Sequence, residues 1–324
     1  MKFASLIVKR LTYAIVLIAA VLAINFALIH AAPGDPALVI AGEMGGADAE
    51  VLDEIRKAYG LDKPVYQQFL TYMGRAVHGD LGQSYLFNLT VMDLILDRIG
   101  PTILLVLTAL VVAILIGTAM GVYASRRPDS VASGAVTIFS LVGYAMPVFW
   151  TGILLVLLFG KVIPIMPIAG MRDVRISGDG FMAWLDVAHH LVLPAFTLAI
   201  IYLALYSRLS RASMLEVLGS DYIRTARAKG LAENVVVYKH ALRNALMPVV
   251  TMAGLQFGNL ISGAVLVETV FSWPGLGTLA LDAILGRDYP TLLGVLTFSA
   301  ILTIVANQLT DLTYRLIDPR LRSR

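Results

Sequence analysis

Apolar side chains fill six stretches of the chain almost without interruption: Leu11 to Ala31, Thr102 to Ala124, Ser133 to Gly160, Leu191 to Ser207, Leu246 to Val267 and Leu292 to Leu312. A helix rises about 1.5 Å per residue, so runs of this length match the roughly 30 Å hydrocarbon core of a bilayer. They predict an all-α membrane protein with six transmembrane helices. The first run follows Lys2, Lys9 and Arg10 as a secretory signal would, but it is longer than a typical signal core. Ile29 and His30 stand where cleavage needs a small residue, so an uncleaved anchor is expected. The third run carries Pro147 in Gly143-Tyr-Ala-Met-Pro147. Divided there, each half would hold about 14 residues, or roughly 21 Å, too short to cross. One helix hinged at Pro147 is expected instead.

Charge orients the spans. With the amino terminus inside, 16 of the 25 Lys and Arg but only 6 of the 22 Asp and Glu fall on the cytoplasmic side. The positive-inside rule expects that asymmetry, and it places both termini of this multi-pass chain in the cytoplasm. Splitting the third run into two spans would turn the basic stretch Arg208 to Arg243 outward, so charge independently favours six.

The first external connection, 32–100, is predicted as a helical insertion. Pro33-Gly34-Asp35-Pro36 opens it with a turn. Asp48 can cap a helix with Val51, Leu52, Ile55 and Tyr59 on one face, ended by Gly60. A second helix begins near Pro64, with Tyr66, Phe69, Leu70, Met73 and Val77 as its stripe. Both stripes read as packed on the body of the protein rather than bound to ligand. The connection Lys161 to His190 contains Pro164, Pro167, Gly170, Gly178 and Gly180 and is expected to be irregular. The chain therefore divides into 1–31 (cytoplasmic tip and first span), 32–100, a five-span core at 101–314 and a cytoplasmic tail at 315–324.

Within the core, the internal segment 208–245 is too short for a domain of its own and too patterned for a plain connection. Asp221-Tyr-Ile-Arg-Thr-Ala-Arg-Ala-Lys-Gly230 predicts a short helix ended by glycine. Arg224 and Arg227 fall on one side, with Tyr222 and Ala226 roughly opposite. Two readings stand: a basic amphipathic helix lying on anionic lipid, or a docking site for another protein.

Composition narrows the function. With 58% hydrophobic and 15% charged residues and a mean hydropathy of +0.79, a soluble enzyme is excluded. The net charge of +3 is explained by membrane orientation and calls for no nucleic acid. Cysteine is absent, so there is no thiolate nucleophile or thiolate metal site. The chain carries no HExxH, no G-x-S-x-G, no G-x-x-x-x-G-K-[ST] and no G-x-G-x-x-G, so catalytic residues, a metal site and a bound cofactor are not expected, and it does not hydrolyse nucleotide alone. Adjacent His189 and His190 would point about 100° apart on a helix and read as interface residues. Polar groups inside the spans are mostly amides and hydroxyls. Asn25, Gln256, Asn259 and Asn307 are candidates to line a hydrated path, or equally to bond helix to helix. Gly117-Thr-Ala-Met-Gly121 and Gly254-Leu-Gln-Phe-Gly258 allow close helix approach.

Motifs spread along nearly the whole chain carry a family resemblance. Asp221-Tyr-Ile-Arg-Thr-Ala-Arg-Ala-Lys-Gly-Leu231, with His240-Ala-Leu-Arg-Asn-Ala-Leu-Met-Pro-Val-Val-Thr251, resembles the cytoplasmic signature of bacterial ATP-binding-cassette importer permeases, the peptide branch above all. Pro33-Gly-Asp-Pro36, Leu61-Asp-Lys-Pro64, Gly79-Asp-Leu-Gly82, Ser213-Met-Leu-Glu-Val-Leu218, Phe271-Ser-Trp-Pro-Gly-Leu-Gly277, Arg287-Asp-Tyr-Pro290 and Asp318-Pro319 match as well. Together they are similar to the B-type membrane subunit of dipeptide and oligopeptide importers, whose relatives also carry glutathione or nickel chelates. The wider family's loop begins Glu-Ala-Ala, whereas Arg224-Thr225-Ala226 stands here, so only Ala226 and Gly230 match that broad pattern. A role for its leading glutamate does not transfer.

The resemblance implies a type I importer permease fold (MetI-like) in the bacterial inner membrane, serving as a nonenzymatic translocation subunit. It implies a second homologous permease, two ATPase subunits that hold ATP and Mg, and a periplasmic or lipid-anchored binding protein. Asp221, Tyr222, Arg224, Thr225, Ala226, Arg227 and Gly230 become the coupling residues. Two other classes stay open from the residues alone. A secondary carrier would use intramembrane carboxylates, which are scarce. An intramembrane enzyme would need a pair inside the bilayer, whereas His240 and Asp318 lie at its cytoplasmic margin.

Overall fold

A computed structural model of the chain describes residues 2–31, 52–54, 56–57, 62–176 and 180–317. Among them there is no strand, only one antiparallel bridge between Gln83 and Thr90. The helices are α1 (Lys2–Ala31), α2 (Val65–Val77), α3 (Val91–Arg126), α4 (Val131–Ala145), α5 (Val148–Leu157), α6 (Phe181–Leu218) and α7 (Asp221–Ala228). There follow α8, a helical stretch made of Glu233–Val235, a π-turn at Val236–Ala241 and Leu242–Ala245, then α9 (Met247–Val270), α10 (Leu276–Leu285) and α11 (Tyr289–Ile317). Among the described residues α3, α6 and Tyr289–Gln308 of α11 are each long and apolar enough to cross a membrane. The pair Val131–Ala145 and Val148–Val162 would make a fourth crossing if it is one span. The predicted turn at Pro33 to Pro36 and the helix from Asp48 to Gly60 lie outside the described residues, apart from isolated helical positions such as Leu52.

The chain forms two compact units: Met1–Gly100 with Leu276–Ile304, and Pro101–Gly275 with Val305–Arg324. In the first, Val91, Leu94 and Ile95 of α3 pack with Leu276 and Leu279 of α10 and Val295 of α11. Asp288 precedes α11 and caps it, accepting hydrogen bonds from the Thr291 N–H and hydroxyl. The same carboxylate accepts from the Ser84 hydroxyl and the Tyr85 N–H, which ties the 79–90 loop to α11. The helix expected near Pro64 forms, with Pro64 at its N-cap. Its packed face includes Phe69, Tyr72 and Met73, while Tyr66, Leu70 and Val77 of the expected stripe remain exposed.

In the second unit α6 is the organising element. Leu193, Leu198, Ala199, Leu203, Ala204 and Tyr206 are all buried, because α3, α4, α5 and α9 surround it. α3 approaches through the predicted glycine pair. A Cβ at Gly117 would lie 2.7 Å from the Leu203 carbonyl, and one at Gly121 would lie 2.4 Å from that of Ser207, so the two backbones touch. The surroundings of the second pair, Gly254 and Gly258, lie outside the described side chains.

Two expectations are corrected. The third apolar run is not one kinked helix. α4 and the stretch after Pro147 meet at 106° across an interruption in which Met146 is extended (φ −79, ψ 132). Proline clashes with an α conformation in the residue before it and supplies no N–H, so α4 ends at Ala145 and Pro147 caps α5. The connection Lys161 to His190 is irregular only in part, since α6 begins at Phe181 and runs 38 residues to Leu218. Its apolar span is extended at both ends by turns that carry Asp186, His189 and His190 at the start and Arg208, Arg211 and Glu216 at the end, polar residues that lower the hydropathy of those turns.

Candidate coupling site

The segment after α6 turns at Gly219 and Ser220 into α7. Asp221 sits in the first turn, where a carboxylate suits the positive helix end, and Thr225 donates its hydroxyl to the Asp221 carbonyl at 2.9 Å. Gly230 ends the helix at φ +75, a left-handed conformation that glycine adopts without steric cost, and its N–H bonds the Arg227 carbonyl at 2.9 Å. The predicted glycine-ended helix is therefore present.

One face of α7 is built in. Ile223 and Ala226 are buried in a cluster with Val122 of α3, Met214 of α6, and Val236, Val237, Ala241 and Ala245 of α8. The Ser213 hydroxyl donates to the Ala245 carbonyl at 2.9 Å, which pins the end of α8 to α6. The other face is open. Arg224 is 73% exposed, and Tyr222 keeps 44% of its surface while accepting a 2.7 Å hydrogen bond from Asn244. Ala226 faces away from the arginines as expected, but Tyr222 lies at the rim.

The two arginines have different surroundings. Arg227 pairs with Glu233 at 2.7 Å, joining α7 to α8. The guanidinium holds the Glu233 carboxyl below its ordinary range, and the same hydrogen bond raises Arg227. Arg224 has a longer contact, 3.4 Å, with the well-exposed Asp221. Sequence reasoning missed the neighbouring surface: Leu231, Val235 and Tyr238 are exposed next to α7, and Arg126 lies 5.7 Å above the Tyr238 ring while donating to Asn234 at 2.9 Å. Their i, i+4, i+7 spacing was a visible signal, but it reads equally well as a packed stripe.

The remaining candidates are scattered. Asn25 is buried and donates to the Thr297 hydroxyl at 2.9 Å, bracing α1 against α11. Gln256 is half-buried in α9, Asn307 is exposed on α11, and the side chain of Asn259 lies outside the described set. Pro147 marks the break between α4 and α5. His190 contacts Asp186 at 3.2 Å and stands nearly perpendicular to His189, so the two rings share no chelating geometry. Among the described residues no cluster of three or more potential ligands could hold a metal. Buried Glu268 accepts a 2.6 Å hydrogen bond from Thr102, and the Trp273 indole donates to the Pro101 carbonyl at 3.0 Å.

Long apolar helices that share a buried core with a short helix open on its arginine-bearing face define an integral membrane protein. The chain belongs to the binding-protein-dependent transport system inner membrane component family, which it matches over residues 113–323. The corresponding N-terminal family matches residues 3–108. Similar proteins include the dipeptide transport system permease protein DppB of Escherichia coli K12, 40% identical over 98% of each chain. The di/tripeptide transport system permease protein DppB of Pseudomonas aeruginosa is 42% identical over 98% of each. The oligopeptide transport system permease protein AppB of Bacillus subtilis is 39% identical over 98% of this chain and 99% of its own. The resemblance to peptide-branch permeases therefore extends along the whole sequence.

Proposed function

We propose that the chain is the translocation subunit of an ATP-driven importer of dipeptides or oligopeptides. In this reading it crosses the bacterial inner membrane six times with both termini in the cytoplasm, and 32–100 forms an external helical insertion. A second homologous permease completes the path, an external binding protein delivers cargo, and two ATPase subunits supply ATP and Mg chemistry that this chain lacks. The names of its full-length relatives support the peptide cargo.

The observation that carries the coupling role is the seating of α7. Its outer face offers Arg224 and Tyr222, while Ile223 and Ala226 on its inner face belong to a close-packed cluster shared with α3, α6 and α8. A dense interior transmits displacement rather than absorbing it, so a motor gripping α7 moves the membrane helices rooted in that cluster. The extended Met146-Pro147 break is the compliant point. Gln256, Asn259 and Asn307 line the path, and Asn25 serves as a brace.

Reconstitution with the ATPase and binding-protein partners tests this. Arg224→Glu and Tyr222→Ala should insert and fold normally yet lose substrate-stimulated ATP hydrolysis. Undiminished stimulation in both variants would overturn the coupling role.

A further inference from the structure

α2 sits lower against its neighbours than an external helix needs to. Phe69 meets the ring of Phe26 edge-on, with centroids 5.2 Å apart, and Phe26 lies five residues, or about 7.5 Å, short of the end of α1. On another side, the Tyr72 side chain lies beside Thr297, which is eight residues, or about 12 Å, into α11. Both contacts fall within helices of membrane-crossing length, below their tips.

The rest of α2 is divided sharply. Tyr66, Leu70 and Val77 fall within about 40° of one another around the helix, on one flank of the packed face. They are 64%, 64% and 78% exposed. Gln67, Thr71, Gly74 and His78 occupy the side away from the packed face and are also exposed. On α1, Ile24 and Leu28 are exposed on the face roughly opposite the packed Phe26, so the helix that carries α2 presents apolar surface of its own. A headgroup boundary matches both the division of α2 and the depth of its two contacts: apolar flank toward the acyl chains, tyrosine at the interface, amides and hydroxyls toward water.

We infer that α2 is an interfacial helix that rests in the outer leaflet, with Tyr66, Leu70 and Val77 in contact with lipid. The inference rests on the topology proposed above only for which leaflet is meant. An interfacial helix packed on both α1 and α11 holds those two helices at a set height in the bilayer, which is a role for the insertion distinct from contact with a binding protein.

The absence of cysteine makes the test clean. Single variants Leu70→Cys, Val77→Cys, Gln67→Cys and Thr71→Cys, each at an exposed position, are spin-labelled in the full complex, with partner cysteines replaced, in nanodiscs of phosphatidylethanolamine and phosphatidylglycerol. At 70 and 77 the label should collide more with oxygen than with a water-soluble nickel chelate, and the order should reverse at 67 and 71. Nickel-dominated collisions at 70 and 77 would place that flank in water and overturn the inference. Immobilised labels shielded from both reagents would place it under a protein partner and overturn it equally. A membrane-impermeant maleimide should reach Gln67→Cys from outside intact cells. Labelling only from the cytoplasmic side would overturn the outer-leaflet assignment and the topology together, while leaving the oxygen pattern to report lipid contact by itself.

Discussion

The guanidinium of Arg227 grips the Glu233 carboxylate with two hydrogen bonds, Nη2 to Oε1 at 2.7 Å and Nε to Oε2 at 3.2 Å, across the Gly230 turn. An arginine that a basic-patch reading offers to a partner is thereby engaged in shaping its own segment, and Arg224 is the more exposed of the two. The pair joins α7 to the start of α8, so it sets the angle at which the exposed face is presented.

Glu233→Gln should lower stability by about 0.2–1 kcal/mol at neutral pH, the range for a solvent-screened pair. Glu233 has its pKa depressed in the folded state, so the contribution is complete above the ordinary value of 4.5 and fades as pH falls through the lowered one. Thermal unfolding of variant and wild type should differ at pH 7 and converge in acid. A gap that persists at the acid end would mean that the ion pair is not its source.

Gly121→Leu should separate α3 from α6. Even the first carbon of the new side chain would stand 2.4 Å from the Ser207 carbonyl and 2.8 Å from the Arg211 nitrogen, both backbone atoms that cannot rotate away. A cost of about 1–3 kcal/mol or more is expected, read as a lower melting temperature and reduced complex yield in detergent.

Ile223→Ala should act differently from a change on the open face. Ile223 is fully buried, so truncation should cost about 2–5 kcal/mol and loosen α7 from its cluster. Proteolysis of the 220–235 region should accelerate in this variant and stay unchanged in Arg224→Glu. Equal protection of both would show that the cluster does not hold the helix.

Thr102→Val removes the hydroxyl that donates to buried Glu268 while keeping its shape. Losing one partner of a buried carboxylate should cost about 1–3 kcal/mol, and a melting curve indistinguishable from wild type would show that the bond adds nothing.

Asp288→Ala removes the cap of α11 and the acceptor for Ser84 and Tyr85. A cap alone contributes about 0.5–2 kcal/mol. Hydrogen exchange should therefore quicken in the 79–90 loop as well as in the first turn of α11, and quickening confined to α11 would mean that the loop is held by other contacts.

Much of this protein was legible from the order of its residues, because lipid imposes a length on apolar runs and glycine and proline act on their immediate neighbours. Those local rules gave the long helices, the start of α2 at Pro64, the close approach at Gly117 and Gly121, and α7 with its Gly230 end. Tertiary packing decided the rest, since it depends on residues far apart in the chain. Only the fold brings Thr297 beside Asn25 and Tyr72, Glu233 to Arg227, and Thr102 to Glu268, and only packing separates the covered side of α2 from its exposed apolar flank. At Met146 the steric effect of Pro147 reached one residue back, and it produced a 106° turn where hydropathy saw continuity, because hydropathy records what a segment dissolves in and not the direction its backbone takes.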